Sequence, residues 1–169
     1  SYVKNVVRSY DLRLRSLGLP RASFGFVEDG FEPDVDRTFN RGYTQLYLDG
    51  RRGSWASMDA PKSMGEELGR VAAVRRKGPS EMLVELEGSG HELRNGDGFA
   101  FVRGNSIVGF RGDVCQGNRI TAKAVEGLKA GMTLYRNLSA AFEKSLEARP
   151  CERLLKVSLS VESSEGELR

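Results

Sequence analysis

The sequence has one histidine, two cysteines and one tryptophan in 169 residues, and each scarcity closes off some chemistry. His91 cannot complete a common zinc set with Cys115 and Cys151, and those two cysteines form no CxxC pair. Two separated cysteines fit a reducing cytoplasm better than a secreted disulfide scaffold. No stretch approaches the roughly 18 apolar residues of a membrane span, and no signal-type N-terminus is present. A cytoplasmic location with no membrane partner is therefore expected. P-loop and Rossmann glycine patterns are missing, since "RGNSIVGFRG" has the glycines in the wrong order. "NGDG" and "GDVCQGN" lack the alternating oxygen ligands of a calcium loop. The acidic residues show no isolated pair of the kind glycosidases and aspartic proteases use. Neither a catalytic nor a metal-ligating residue is assigned.

Charge gives a similarly restrained signal. Twenty-six basic and 23 acidic residues leave a net charge of +3 and a pI near 9.0, an excess that supports nucleic-acid binding only weakly. His91, in "GSGHEL", reads either as a general base or as a turn residue. Cys115 would serve as a nucleophile only with a base beside it, and otherwise reads as a small buried hydrophobe. Cys151, after Pro150, reads as an inert thiol.

The pattern along the chain predicts a mainly β protein with flanking helices. Val3, Val6, Val7, Tyr10, Leu14 and Leu17 recur at three- and four-residue steps, predicting an amphipathic helix over 1–19 whose apolar stripe needs a partner. The chain opens inside that helix without a Met, so a catalytic domain is expected upstream. Residues 20–65 read as a connecting segment, with Asp34 or Asp36 capping a short helix through Phe39 and "YTQLYL" as a strand. Between 66 and 136, six short strands with glycine turns predict a small antiparallel barrel or sandwich. Leu93-Arg-Asn-Gly96 and Leu128-Lys-Ala-Gly131, each followed by a strand, suggest two equivalent corners of a barrel. A helix over 137–150 follows, with Ser139 as cap and Leu138, Phe142 and Leu146 on one face. The alternation Leu155, Val157, Leu159, Val161 predicts a strand within 151–169, belonging to a further module.

Two basic clusters stand as candidate phosphate contacts: Arg37, Asn40 and Arg41 in "DRTFNRGYT" as the first choice, because aromatics surround them, and Arg75, Arg76 and Lys77 in "RRK" as a second patch. Phe39, Tyr43, Tyr47 and Trp55 could stack on bases near the first cluster. The alternative is that these aromatics are packing residues and the arginines are solvated or paired with Asp34, Asp36 and Asp49. In that alternative Phe39 and Tyr43 pin the connecting segment against the barrel.

"TFNRGYTQLYLDG", "APKSMGEELGRV", "LRNGDGFAF", "GLKAGMTLYRN" and "AFEKSLEARPCERLLKVSLSVE" occur in that order. Together they resemble the C-terminal region of the collagenase-like peptidases, family U thirty-two. "YVKNVVRSYDLRL" is similar to the helix leading out of that family's catalytic region. The resemblance implies a TIM-like catalytic domain upstream and, in 66–136, a β-barrel like the second domain of elongation factor Tu. It also implies hydroxylation of transfer or ribosomal RNA in several members, with a cysteine cluster holding an iron–sulfur centre in the upstream domain. The two cysteines here do not match that cluster, so no cofactor is expected within this segment. The expected partners are the protein's own upstream catalytic domain and structured RNA. The segment is expected to be an accessory, non-catalytic region that aids RNA binding. The alternatives are a substrate-docking region of a collagenase-like protease and a purely architectural brace.

Overall fold

A computed structural model of the chain describes residues 2–20, 23–27, 31–40, 43, 45, 47–48, 50, 62–88, 90–148, 152–161, 163–164 and 167–168. Helix α1 spans Tyr2–Ser16. It ends where Gly18, at φ +69°, donates to the Arg15 carbonyl, the left-handed stop that glycine adopts without a Cβ clash. Strand β1 (Phe26–Val27) and a 3-10 turn (Val35–Arg37) capped by Asp34 follow.

Six strands then form the barrel: β2 (Glu66–Arg76), β3 (Glu81–Leu86), β4 (Gly98–Arg103), β5 (Ser106–Gln116), β6 (Arg119–Lys123) and β7 (Thr133–Leu138). They close in the order β2-β3-β6-β5-β4-β7, every ladder antiparallel. This is the small antiparallel barrel expected from the glycine-punctuated strands. Alternation sets the register: Met82, Val84 and Leu86 point inward from β3 against Ile120 and Ala122 of β6. Phe99 and Phe101, two residues apart on β4, share the core face and are fully buried. Each contributes about 2–3 kcal/mol from apolar burial.

The barrel is internally duplicated. Order and pairing are preserved when β2, β3 and β4 are exchanged with β5, β6 and β7. The long strands β2 and β5 each pair with one neighbour through their first half and another through their second. The two suspected corners coincide with this relation. Gly96 donates to the Gly112 carbonyl, and Gly112 to that of Asp97; likewise Gly131 donates to Val71, and Val71 to Met132. Both corner glycines have positive φ, +90° and +83°. Leu93 and Leu128, the matching anchors, are both buried in the core.

Helix α2 (Ala140–Ala148) packs Phe142 and Leu146 against Phe31 in a small second core. Leu138, expected on that face, instead ends β7 and is exposed. After it, β8 (Arg153–Leu154) pairs with β1, and β9 (Ser163–Ser164) with β10 (Glu167–Leu168).

Two strand expectations are corrected, whereas the apolar stripe of α1 still needs a partner beyond the described chain: Val3, Val7, Tyr10, Leu14 and Leu17 are exposed, while Asn5 and Arg8 are buried. Asn5 explains the inversion, because its amide donates to the Asp34 carbonyl at 2.6 Å and its oxygen accepts from the Asp34 amide at 3.0 Å. An asparagine in this position completes a backbone-like pair that no apolar residue can make. "YTQLYL" forms no strand among its described residues, and Tyr47 and Leu48 lie in a turn closed by Gly50 to the Tyr47 carbonyl. The alternating run after Pro150 is strand only at β8, and residues 155–161 are exposed without a ladder. Alternation gives a strand an apolar face, but a ladder also requires a neighbouring strand.

Candidate nucleic-acid interface

The connecting segment reaches the barrel through charge. The Asp34 carboxylate accepts from the Asp36 amide at 3.1 Å and pairs with Arg37 Nε at 2.9 Å. Arg37 Nε also lies 3.6 Å from Glu66 Oε2, at the start of β2. Glu66 receives Arg136 Nε at 2.9 Å and also Arg136 Nη2. Arg136 Nη1 donates to the Glu92 carbonyl at 2.8 Å and to Asp97 Oδ2 at 3.3 Å. Asp97 in turn accepts from the Arg94 amide at 3.1 Å and, through Oδ1, from the Ala140 amide at 3.0 Å. The first free amide of α2 is thus capped by Asp97, from the β4 corner, rather than by the Ser139 side chain as expected. Gly65, at φ +77°, allows this approach: a Cβ there would lie 2.1 Å from the Arg136 carbonyl oxygen.

Asn40 is committed to this scaffold. Its amide donates to the Asp36 and Thr38 carbonyls at 3.1 and 3.2 Å, and its backbone is bonded on both sides to the Ser63 hydroxyl. Phe39 and Tyr43 are exposed rather than packed against the barrel, although the Tyr43 hydroxyl donates to the Val35 carbonyl at 2.7 Å. Burial raises the Tyr43 phenol, with Asp36, Tyr2 and Asp34 adding to the effect. Burial also raises the Asp36 carboxyl, with Asp34 and Glu66 adding to it. Arg41, Asp49, Trp55 and Cys151 lie outside the described residues.

Neither candidate of acid–base or thiol chemistry acquires a full set of partners. His91 Nδ1 lies 3.4 Å from Glu66 Oε1 at the exposed margin of the network, an imidazole–carboxylate contact without a nucleophile among its described neighbours. Burial pushes the Cys115 thiol up to about 11, with Asp97 and Asp113 adding and Arg136 opposing. A thiol in that range stays protonated near neutrality and is a poor nucleophile. Among the described residues, no group of three or more His, Cys, Asp or Glu could hold a metal ion. Cys115 sits between Gly112 and Ile120 of the barrel wall, so the donor set of an iron–sulfur cluster does not fit the described part of this chain.

The second basic cluster lies elsewhere. Arg75 and Arg76 end β2 and Lys77 follows it, whereas Arg37 meets Glu66 at the start of the same strand. Ten residue steps of strand separate the two by up to about 33 Å. Among the described candidates, Arg37 and Asn40 therefore lie toward one end of β2 and Arg75, Arg76 and Lys77 toward the other. Arg75 stands 3.7 Å from Glu85, which also holds Arg119 at 3.1 Å. Arg119 was not singled out in the sequence, and neither were Glu66, Asp97 and Arg136. For Arg136 a signal existed: it takes the inward phase of β7 with Leu134, and a cation on a core face demands a buried counter-ion.

No protein-family profile matches the chain, and no solved structure matches it. Among proteins of known activity, the chain is similar to the 23S rRNA 5-hydroxycytidine C2501 synthase of Escherichia coli (strain K12). The two are 28% identical over 176 aligned positions, 95% of this chain and 26% of that protein. The chain thus spans about a quarter of the length of that relative, and the likeness supports the resemblance to family U thirty-two.

Proposed function

We propose that this chain is the accessory, non-catalytic region of an RNA-hydroxylating protein, and that it helps hold structured RNA for chemistry carried out by an upstream catalytic domain. One observation carries the reading: nearly the whole chain aligns with an enzyme that makes 5-hydroxycytidine in 23S ribosomal RNA. The described residues, meanwhile, offer charge and shape rather than a reactive set. Arg75, Arg76 and Lys77, exposed at the end of β2, are the stronger phosphate candidates. Arg37 and Asn40 are engaged in the scaffold, and with Arg41 they form the weaker candidate cluster. An iron–sulfur centre in the upstream domain, a cytoplasmic location and ribosomal or transfer RNA as partner belong to the same proposal. The protease alternative finds no counterpart in the relative's activity.

The test is an anisotropy titration of the full-length protein against labelled 23S ribosomal RNA fragments as salt is raised. Replacing Arg75, Arg76 and Lys77 with alanine is expected to weaken binding and flatten its salt dependence, since each lost phosphate contact releases fewer counter-ions. Unchanged affinity in this triple variant, and in Arg37→Ala with Arg41→Ala, would leave the region a brace and nothing more.

A further inference from the structure

Resting on that reading, we propose that the outward face of β2, β3 and β6 is a phosphate-binding surface for helical RNA, with Arg75, Lys77, Arg119 and Lys123 as its contacts. Strand register places these residues together. Glu81 pairs with Lys123 on β6, and its carbonyl accepts the Lys77 amide, so Lys77, Glu81 and Lys123 form one outward row. Arg75, Leu83 and Thr121 form the next row, and Ala73, Glu85 and Arg119 the third. Cations occupy both flanking strands, while the two carboxylates sit on the middle one. Four cations against two carboxylates leave this face at +2.

Glu85 organises the face. Its carboxylate reaches Arg75 from one side and Arg119 from the other, yet the two guanidinium side chains remain 69% and 64% exposed. One carboxylate shared by two arginines leaves positive charge over. It also positions two planar donors on strands about 9.5 Å apart. Exposed pairs of this kind contribute little to stability, so exchanging part of one for a phosphate oxygen costs little.

The outward rows contain no aromatic side chain. Single strands are usually held by stacking their bases on aromatics, whereas duplex RNA is recognised through phosphates and shape. A basic barrel face without a stacking platform belongs to the second mode.

Arg119→Ala combined with Lys123→Ala in the full-length protein tests the assignment, because both side chains are exposed and their loss spares the core. The probe is a labelled transcript of a helical segment around position 2501 of 23S ribosomal RNA, with polyuridylate as the single-stranded comparison. Between about 50 and 200 mM salt, the loss of affinity is expected to shrink about tenfold relative to the parent, the effect of two missing phosphate contacts. Glu85→Gln is expected to tighten binding. If the parent binds the transcript while the double variant keeps its salt dependence, this face is refuted and the RNA reading survives. A parent that binds no RNA overturns both. Equal affinity for polyuridylate refutes the helical class, and equal competition by polyglutamate refutes RNA as the partner.

Discussion

Asp97→Ala tests the charge relay that joins the barrel to its attachments. The Asp97 carboxylate is fully buried and serves three donors: the Arg94 amide, Arg136 Nη1 and the Ala140 amide. Alanine leaves two backbone amides without that acceptor and removes one of the two carboxylates facing Arg136, whose side chain is only 2% exposed. Breaking a buried pair in this way costs about 3–5 kcal/mol, with the lost helix cap included as one of its parts. For a chain of this size each kcal/mol lowers Tm by about 2–4 °C, so a loss of roughly 6–20 °C is expected in a circular dichroism melt. Hydrogen exchange at the Ala140 amide should accelerate more than at the core amides of β3, because α2 loses its first anchor. Glu66→Gln should cost less, since Glu66 is closer to solvent and Arg136 keeps both Asp97 and the Glu92 carbonyl. A Tm drop below about 2 °C for Asp97→Ala, or a larger drop for Glu66→Gln, would refute the relay as a structural anchor.

Other substitutions probe the same framework from different sides. Gly112→Ala should destabilise by about 1–3 kcal/mol in urea titration, because the added Cβ would stand 2.7 Å from Phe99 Cε2 and 2.8 Å from Cys115 Sγ. Gly65→Ala should be worse, since its Cβ meets backbone at 2.1 Å rather than side chains and its φ is positive. In a Cys151→Ser background, Cys115 should react with Ellman's reagent at pH 8 about tenfold more slowly than a free thiol, because its pKa is raised to about 11 and the scarcer thiolate is only partly offset by its greater nucleophilicity. The unfolded chain releases that proton first, near its ordinary value of 9.0. The Cys115 contribution to stability is therefore full below that pH and declines between 9 and 11, a slope that Cys115→Ala should reduce in pH-dependent melts, the raised Tyr43 phenol keeping its own share. Arg37→Ala should cost about 1 kcal/mol of stability, as expected for a half-exposed pair, and leave the salt dependence of RNA binding nearly unchanged.

The barrel was legible because burial on one face of a strand leaves a period of two in the sequence. Met82, Val84 and Leu86 show that period, and Gly96 and Gly131 mark where the chain must turn. Helix α1 was legible as a helix but not in its orientation. Periodicity identifies an apolar stripe, whereas the buried side is chosen by Asn5 pairing with a residue far along the chain. The relay escaped notice for a similar reason. Glu66, Asp97 and Arg136 belong to three different strand ends, and only closure of the barrel brings them together. Arg119 and Lys123 looked like isolated surface charges until the β3–β6 register set them opposite Glu85 and Glu81.

The twofold internal relation of the barrel bears on how such a chain can be divided. Each three-strand half meets the other along four seams, β2 to β7 matching β5 to β4, while β3 to β6 and β4 to β7 each match themselves. A fragment carrying one half alone would therefore find its missing complement in a sister molecule, and two identical pieces could rebuild the cylinder as a symmetric dimer. The polar corner opposes both pairings. Asp97 stands where its counterpart is Met132, so a pair of first halves would enclose two acids with no Arg136 to neutralise them, while a pair of second halves would enclose two arginines without either acid.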